Sequence, residues 1–240
     1  MSKSVTVVEH RWCKDIGMFA VDRPIYAIKA TAERPGAKPS CLWRTKACEG
    51  CYNNKLYDMY QEDMDGRDVR NEQSWQAITG EGLREALSTK RSRQTSRLRL
   101  MTRGEAFRDP TDIPRVRDIC NANPEKDIWV PTRSWRSPLM RPHVRALQDE
   151  CPNLRLQASI DHTNTDEEIR GLIDEGWSLM FWGDNERTTL PGRDSKGRFA
   201  QVPMHRCAKT WAKEKGACAE TCNEEGCFDS EQTFVHLKGH

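Results

Sequence analysis

Leu154-Arg-Leu-Gln-Ala-Ser-Ile160 and Trp177-Ser-Leu-Met-Phe-Trp182 are two apolar segments that predict strands, and the chain between them predicts a helix. The helix opens with Thr165-Asp-Glu-Glu168, a capping box in which the threonine hydroxyl accepts a first-turn amide and the glutamate reaches back to the cap. It is predicted to end at Gly176, because glycine readily adopts the left-handed conformation that follows many helices. This order is typical of two parallel strands joined by a right-handed crossover.

The same alternation continues on both sides of this unit. Further strands are predicted within 19–30 and at 97–102, 127–132 and 199–204, and helices are predicted after residue 52 and at about 72–90, 110–121 and 141–150. We therefore predict an α/β fold, a partial (open) β/α barrel of about six parallel strands over residues 1–206. A cysteine-rich, metal-binding extension is predicted over residues 207–240.

Seven of the ten cysteines fall into two groups. The first group is Cys41, Cys48 and Cys51, and the second is Cys207, Cys218, Cys222 and Cys227. Soft thiolates at short spacing are the ligands that zinc and iron–sulfur clusters select. The first residues lack the apolar core of a signal peptide, so we expect a reducing compartment, in which cysteines are metal ligands more often than disulfides.

The charge of the chain argues against some partners. Thirty-eight Lys and Arg residues nearly cancel 36 Asp and Glu residues, so the net charge of +2 gives no strong reason to expect nucleic acid or a membrane surface. No stretch approaches the roughly twenty apolar residues that a membrane span requires. We expect a cytoplasmic protein that acts on an unidentified small-molecule or macromolecular substrate.

Polar residues follow several of the predicted strands. Arg103-Gly-Glu105, Thr132-Arg133 and Asp161-His162 would project at one edge, because parallel strands present their carboxyl ends together. Asp161 is a candidate acid/base group, or a carboxylate that binds the ribose of a cofactor.

The first cysteine group and Met101-Thr-Arg-Gly-Glu-Ala-Phe107 resemble the radical S-adenosylmethionine (SAM) superfamily, in which a cysteine triplet precedes a Gly-Gly-Glu motif. The resemblance implies that the triplet ligates three irons of a [4Fe-4S] cluster and leaves the fourth for SAM. Gly104 and Glu105 would then lie near the amino group of SAM. Six residues separate the first two cysteines where the superfamily has three, and Arg103 stands where it has a first glycine.

A second resemblance covers residues 29–240. The motif Cys48-Glu-Gly-Cys51-Tyr52, the stretch Leu98–Phe107, the C-terminal cysteines and Phe234-Val-His236 are similar to the bacteriophage gene-product-eighty-eight-like family. This resemblance implies a phage protein in the cytoplasm of the host cell, and it implies no particular reaction.

The C-terminal cysteines are separated by ten, three and four residues, a spacing that fits no standard zinc finger. They resemble the auxiliary-cluster extensions of some radical SAM enzymes, which implies a second iron–sulfur cluster. Structural zinc is the alternative, because the ligand type alone does not separate the two metals. Cys207 could also complete the first site, because it ends a predicted strand and would emerge on the same face as the Cys41 loop.

Three functional hypotheses follow. The protein is a radical-SAM-like enzyme, or a noncatalytic iron–sulfur phage protein that acts on a host protein, or a zinc-stabilised module that binds nucleic acid through residues 91–99. The near-zero net charge weighs against the third hypothesis. SAM cleavage separates the first from the second.

Overall fold

A mostly parallel eight-stranded sheet forms the centre of the protein. The computed structural model describes residues 9–13, 18–88, 95–183, 186–194, 196–207, 210, 227 and 232–237. The strands of this sheet are β1 (Arg11–Cys13), β2 (Met18–Val21), β3 (Arg97–Leu100), β4 (Asp127–Thr132), β5 (Leu154–Asp161), β6 (Ser178–Trp182), β9 (His205–Arg206) and β10 (Phe234–Leu237). Their spatial order is β1-β2-β3-β4-β5-β6-β10-β9, and every neighbouring pair is parallel except β1 with β2.

Five helices belong to the described part of the chain. They are α1 (Tyr52–Ala77), α2 (Gly80–Ala86), α3 (Asp112–Ala122), α4 (Arg141–Glu150) and α5 (Asp166–Asp174). Most of their apolar side chains form one core with the alternate residues of the strands that point to the same face, such as Leu98, Val130 and Phe181. Tyr57 and Met64 of α1 pack with Ile25 in a second, smaller cluster. None of these helices is long and apolar enough to cross a membrane.

The alternation of strands and helices predicted from the sequence is confirmed between residues 97 and 182. β4 and α4 have the predicted bounds. The capping box of α5 is also present: Thr165 Oγ1 accepts from the Glu168 amide at 3.2 Å, and the Thr165 amide donates to Glu168 Oε2 at 3.0 Å. An α/β fold with a parallel sheet is therefore confirmed. The described strands do not close into a barrel.

The prediction that residues 199–204 supply the last strand of this sheet is wrong. Phe199–Pro203 forms β8, which pairs antiparallel with β7 (Thr189–Arg193) in a separate two-stranded sheet. Its side chains are exposed or half-buried, so it does not suit the interior of a covered sheet. β10 instead pairs with β6, in parallel, and its Val235 is buried.

The helix predicted over residues 72–90 is in fact divided. Residues 72–77 complete α1, and Ile78 and Thr79 are extended before α2 begins. Thr79 caps α2, because its hydroxyl accepts from the Gly82 amide at 3.1 Å. Gly80 then passes so close to α3 that an added Cβ would lie 2.2 Å from the Asp118 carbonyl oxygen.

We predict that Gly80→Ala destabilises the protein by about 1–3 kcal/mol, because overpacking forces two helices apart. Gly66→Ala is the matched control, since a Cβ at position 66 of α1 would meet only Arg70 Nη1, at 3.8 Å. We expect the control to stabilise α1 by about 0.5–1 kcal/mol. Urea unfolding measures both free energies, and equal effects of the two substitutions would contradict the packing described.

Candidate functional site

A cavity of about 370 Å³ lies at the carboxyl ends of the parallel strands. Its lining includes all three cysteines of the first group, Cys41, Cys48 and Cys51. It also includes the chain that follows β3, with the predicted site residues Gly104 and Glu105. The structure therefore brings the cysteine loop and the Gly-Glu pair to one cavity, although some 50 residues separate them in sequence.

Ser40 joins the beginning of the cysteine loop to the Gly-Glu pair. Its hydroxyl donates to the Pro24 carbonyl at 2.7 Å and accepts from the Glu105 amide at 2.9 Å. Gly104 has a φ of 83°, and an added Cβ would lie 2.6 Å from both Ser40 Oγ and the Arg23 carbonyl oxygen. Only glycine fits this position, because both the backbone conformation and the close contact exclude a side chain.

A second connection holds the middle of the loop at the ends of β4 and β5. Thr45 Oγ1 donates to Asp161 Oδ2 at 2.7 Å, and Arg133 Nη1 donates to the same oxygen at 2.6 Å. The Thr163 amide donates to Asp161 Oδ1 at 2.9 Å. Burial disfavours the charged form of Asp161, but these hydrogen bonds outweigh it and hold its pKa well below the ordinary range. That Asp161 also contacts a cofactor stays a prediction.

The three sulfur atoms have different surroundings. Cys48 Sγ accepts from the Thr45 amide at 3.4 Å, and Cys51 Sγ accepts from Asn53 Nδ2 at 3.6 Å. Cys51 is also the N-cap of α1. Burial raises the pKa of the Cys41 thiol to about 12, and the negative charge of Glu105 adds to this shift. A further cationic partner, such as a metal, would favour the Cys41 thiolate.

Glu105 is buried beside this loop and is held by uncharged donors. Its Oε1 accepts from the Thr132 hydroxyl at 2.8 Å and from the Phe107 amide at 3.2 Å, and its Oε2 accepts from the Arg133 amide at 2.8 Å. Burial raises the pKa of Glu105 against the effect of these hydrogen bonds. A buried carboxyl group at the cavity wall is suited to receive a hydrogen bond from a cationic or amino group of a ligand.

Residues 19–229 match the protein family described as Gene product 88. The chain belongs to this phage family. The match extends from the start of β2 past Cys227, so it includes both cysteine groups and the Gly-Glu pair. It confirms the resemblance to this phage family that the sequence indicates. No curated protein and no solved structure matches the chain.

Arg103 has a structural role in this gene product 88 protein. Its guanidinium forms a buried ion pair with Asp68 of α1 and donates to Met64 Sδ at 3.2 Å. Its amide donates to Asp22 Oδ1 at 3.0 Å. Arg103 therefore connects the chain after β3 to the helix that follows the cysteine loop. No spacing in the sequence indicates this pair.

The second cysteine group lies only partly within the described chain. Cys207 is buried just after β9, where its amide donates to the His236 carbonyl at 2.9 Å, and it does not line the cavity. Cys227 is described, whereas Cys218 and Cys222 lie outside the described residues. Among the residues that the structure describes, no three His, Cys, Asp or Glu side chains are arranged as a metal site. The ligand sets of both predicted metal sites stay predictions.

Sequence reasoning did not find Ser40, Thr45 or the strained end of β3. Met101 lines the cavity with a φ of 65°, which is uncommon for a residue with a side chain. Its amide donates to the Val21 carbonyl at 2.7 Å, which holds this conformation in place. Thr132, by contrast, ends β4 and Arg133 follows it, at the edge that the strand pattern predicts.

We predict that Asp161→Asn destabilises this gene product 88 protein by about 3 kcal/mol or more at pH 7, because Arg133 loses a buried charged partner. The folded pKa of Asp161 lies below its unfolded value of about 3.9. Its stabilisation is therefore complete above about pH 5 and declines as the pH falls below about 4. The difference in free energy of unfolding between wild type and Asp161→Asn should therefore narrow as the pH falls from 5 to 3.

Asp149→Asn is the control for this prediction. The Asp149 side chain is 74% exposed and pairs with Arg145 within α4, so we expect a change of less than about 1 kcal/mol at any pH. Urea unfolding at pH 7, 5 and 3 provides the comparison. A difference between wild type and Asp161→Asn that stays constant across this range would show that the Asp161 charge does not hold the loop.

Proposed function

We propose that this protein is an iron–sulfur protein whose cysteine loop binds a [4Fe-4S] cluster, and that it acts as a radical-SAM-like enzyme. One observation carries the proposal: Cys41, Cys48, Cys51 and the Gly104-Glu105 pair line the same cavity at the carboxyl ends of a parallel sheet. In open α/β sheets, this edge is where ligands bind.

The donor chemistry supports the proposal. Three thiols on one loop match the preference of iron–sulfur clusters for cysteine ligands, and three ligands leave one of four irons open. The loop is fixed at Ser40 and Thr45, between which Cys41 lies, and Cys51 is fixed by the start of α1. In this proposal the cysteine side chains reorient to gather the three sulfurs, which are not arranged as a metal site in the described chain. A cluster bound there would pass one electron from an external reductant to SAM, which is the chemistry that cleaves it.

The residues around the loop have separate tasks in this proposal. The N–H···S hydrogen bonds from Thr45 and Asn53 stabilise negative charge on the sulfurs. Glu105 accepts a hydrogen bond from the amino group of SAM, since no side-chain cation forms an ion pair with its carboxylate among the described residues. Apolar walls that include Ile25 and Met180 exclude water from the reacting atoms.

We predict that wild-type protein purified without oxygen contains iron and acid-labile sulfide in equal amounts. Replacing Cys41, Cys48 or Cys51 by alanine should remove the iron of the first site. Cys120→Ala is the control, because Cys120 is buried in the helical core away from the cavity. Zinc without sulfide in wild type would contradict the proposal and favour the zinc-stabilised nucleic-acid-binding module.

We further predict that the reduced protein cleaves SAM and that Glu105→Gln weakens SAM binding by roughly tenfold, since one charge-assisted hydrogen bond is lost. The iron content of this variant should stay at the wild-type value. Glu49→Gln is the control, because Glu49 is exposed on the same loop and outside the cavity. An iron-loaded protein that does not bind SAM would contradict the enzymatic part of the proposal and favour a noncatalytic iron–sulfur protein that acts on a host protein.

A further inference from the structure

Arg99 lies in the cavity, although its neighbours in β3 belong to the core. Leu98 and Leu100 point to the face of the sheet that the helices cover, and both are completely buried. Because side chains alternate along a strand, Arg99 points to the opposite face. There it is half-buried and lines the cavity together with Ser159 and Met180 of β5 and β6.

The guanidinium of Arg99 is held in one orientation. Its Cζ lies 4.3 Å from the centre of the Trp129 ring. The Trp129 indole in turn donates to Gln157 Oε1 at 2.9 Å, which fixes the ring on the sheet. Arg99 Nε donates to the Met101 carbonyl at 3.4 Å, which leaves both Nη nitrogens for other acceptors. A stacked guanidinium of this kind is preorganised to bind a carboxylate or a phosphate with two parallel hydrogen bonds.

The charges around the cavity set Arg99 apart from the other arginines. Arg103 is paired with Asp68, and Arg133 is paired with Asp161. Arg44 stacks on the Tyr26 ring and lies within electrostatic range of the Cys41 and Cys48 thiols. In the described ranges of the chain, the Arg99 guanidinium has one cation–π contact, with the Trp129 ring, and one hydrogen bond, to a carbonyl oxygen. No described carboxylate forms an ion pair with it. Arg99 and Arg44 are thus the two cavity arginines that no described carboxylate pairs with, and Arg99 is the one that projects from the sheet.

We propose that Arg99 anchors the carboxylate or phosphate group of the substrate, whose remaining part is apolar. This inference rests on the proposed function of the same cavity. The positive charge selects an anion, and the apolar lining of the cavity, including Pro131 and Met180, suits an apolar body. Gln157 and Trp129 are positioning residues, because they act on the substrate only through the orientation of Arg99.

Isothermal titration of the full chain, purified without oxygen, tests this inference. The probes are 3-phenylpropionate, phenyl phosphate and the uncharged 3-phenylpropionamide. We expect at least one of the two anions to bind wild type and the amide to bind roughly tenfold more weakly or not at all. The tighter anion identifies the group that Arg99 takes. Failure of both anions to bind wild type would overturn the proposal.

Two variants assign the effect to Arg99. Arg99→Met should reduce anion affinity by roughly tenfold or more, and Arg99→Lys, which keeps the charge, should restore part of it. Arg97→Met is the matched control, because Arg97 lies on the same strand and the same face but does not line the cavity. Its affinity should equal that of wild type, and circular dichroism checks that each variant is folded. Equal anion binding by folded Arg99→Met and wild type would overturn the proposal.

The anion-binding role of Arg99 and the proposed iron–sulfur function can fail independently. Iron and sulfide are measured on the same sample. A protein without iron that still binds the anions through Arg99 would contradict the proposed cluster but support the anion site. Titration of the anion is then repeated with SAM present. Displacement of the probe by SAM would mean that Arg99 binds the carboxylate of SAM, which would overturn the substrate assignment.

Discussion

The site depends on the hydrogen bonds and ion pairs of one fully buried guanidinium group, that of Arg23. Its Nε and Nη2 donate to the two oxygens of Glu72, each at 2.9 Å, and its Nη1 donates to Asp112 at 3.0 Å. The same Nη1 lies 3.3 Å from the carbonyl oxygens of Glu105 and Ala106. One side chain thus connects the end of β2, helix α1, the chain after β3 and the start of α3. Losing it would remove the most buried cationic partner of these two carboxylates and leave each with one partly exposed arginine.

The cavity follows from this arrangement, because its walls are loops held by buried polar contacts at the end of a rigid sheet. Arg23 and Ser40 fix the Gly104-Glu105 backbone, and Asp161 fixes Thr45 of the cysteine loop. The carboxylates that pair with arginines in these contacts are compensated within the protein. Among the described residues, the cavity lining offers three thiols, one carboxyl group and the guanidinium groups of Arg44 and Arg99. That set is suited to a thiolate-bound metal centre together with a polar ligand.

Much of this fold can be predicted from the sequence, because the units between residues 97 and 182 have regular apolar spacing and a capping box at Thr165. The meeting of the cysteine loop with Gly104 is predictable too, since parallel strands end at one edge. The strand at 234–237 is not, because four residues after an irregular cysteine-rich stretch carry no periodic signal. The contacts of Ser40, Thr45 and Arg103 are tertiary hydrogen bonds between distant segments, and no spacing encodes them.

We propose that the three loop cysteines hold a [4Fe-4S] cluster with an iron open to SAM. Mössbauer spectroscopy of ⁵⁷Fe-enriched protein, prepared without oxygen and recorded with and without SAM, tests it most directly. We predict the signal of a thiolate-ligated [4Fe-4S] cluster, in which a minority of the iron shifts when SAM is added. A spectrum that SAM leaves unchanged, or a protein that carries zinc in place of iron, would contradict the claim.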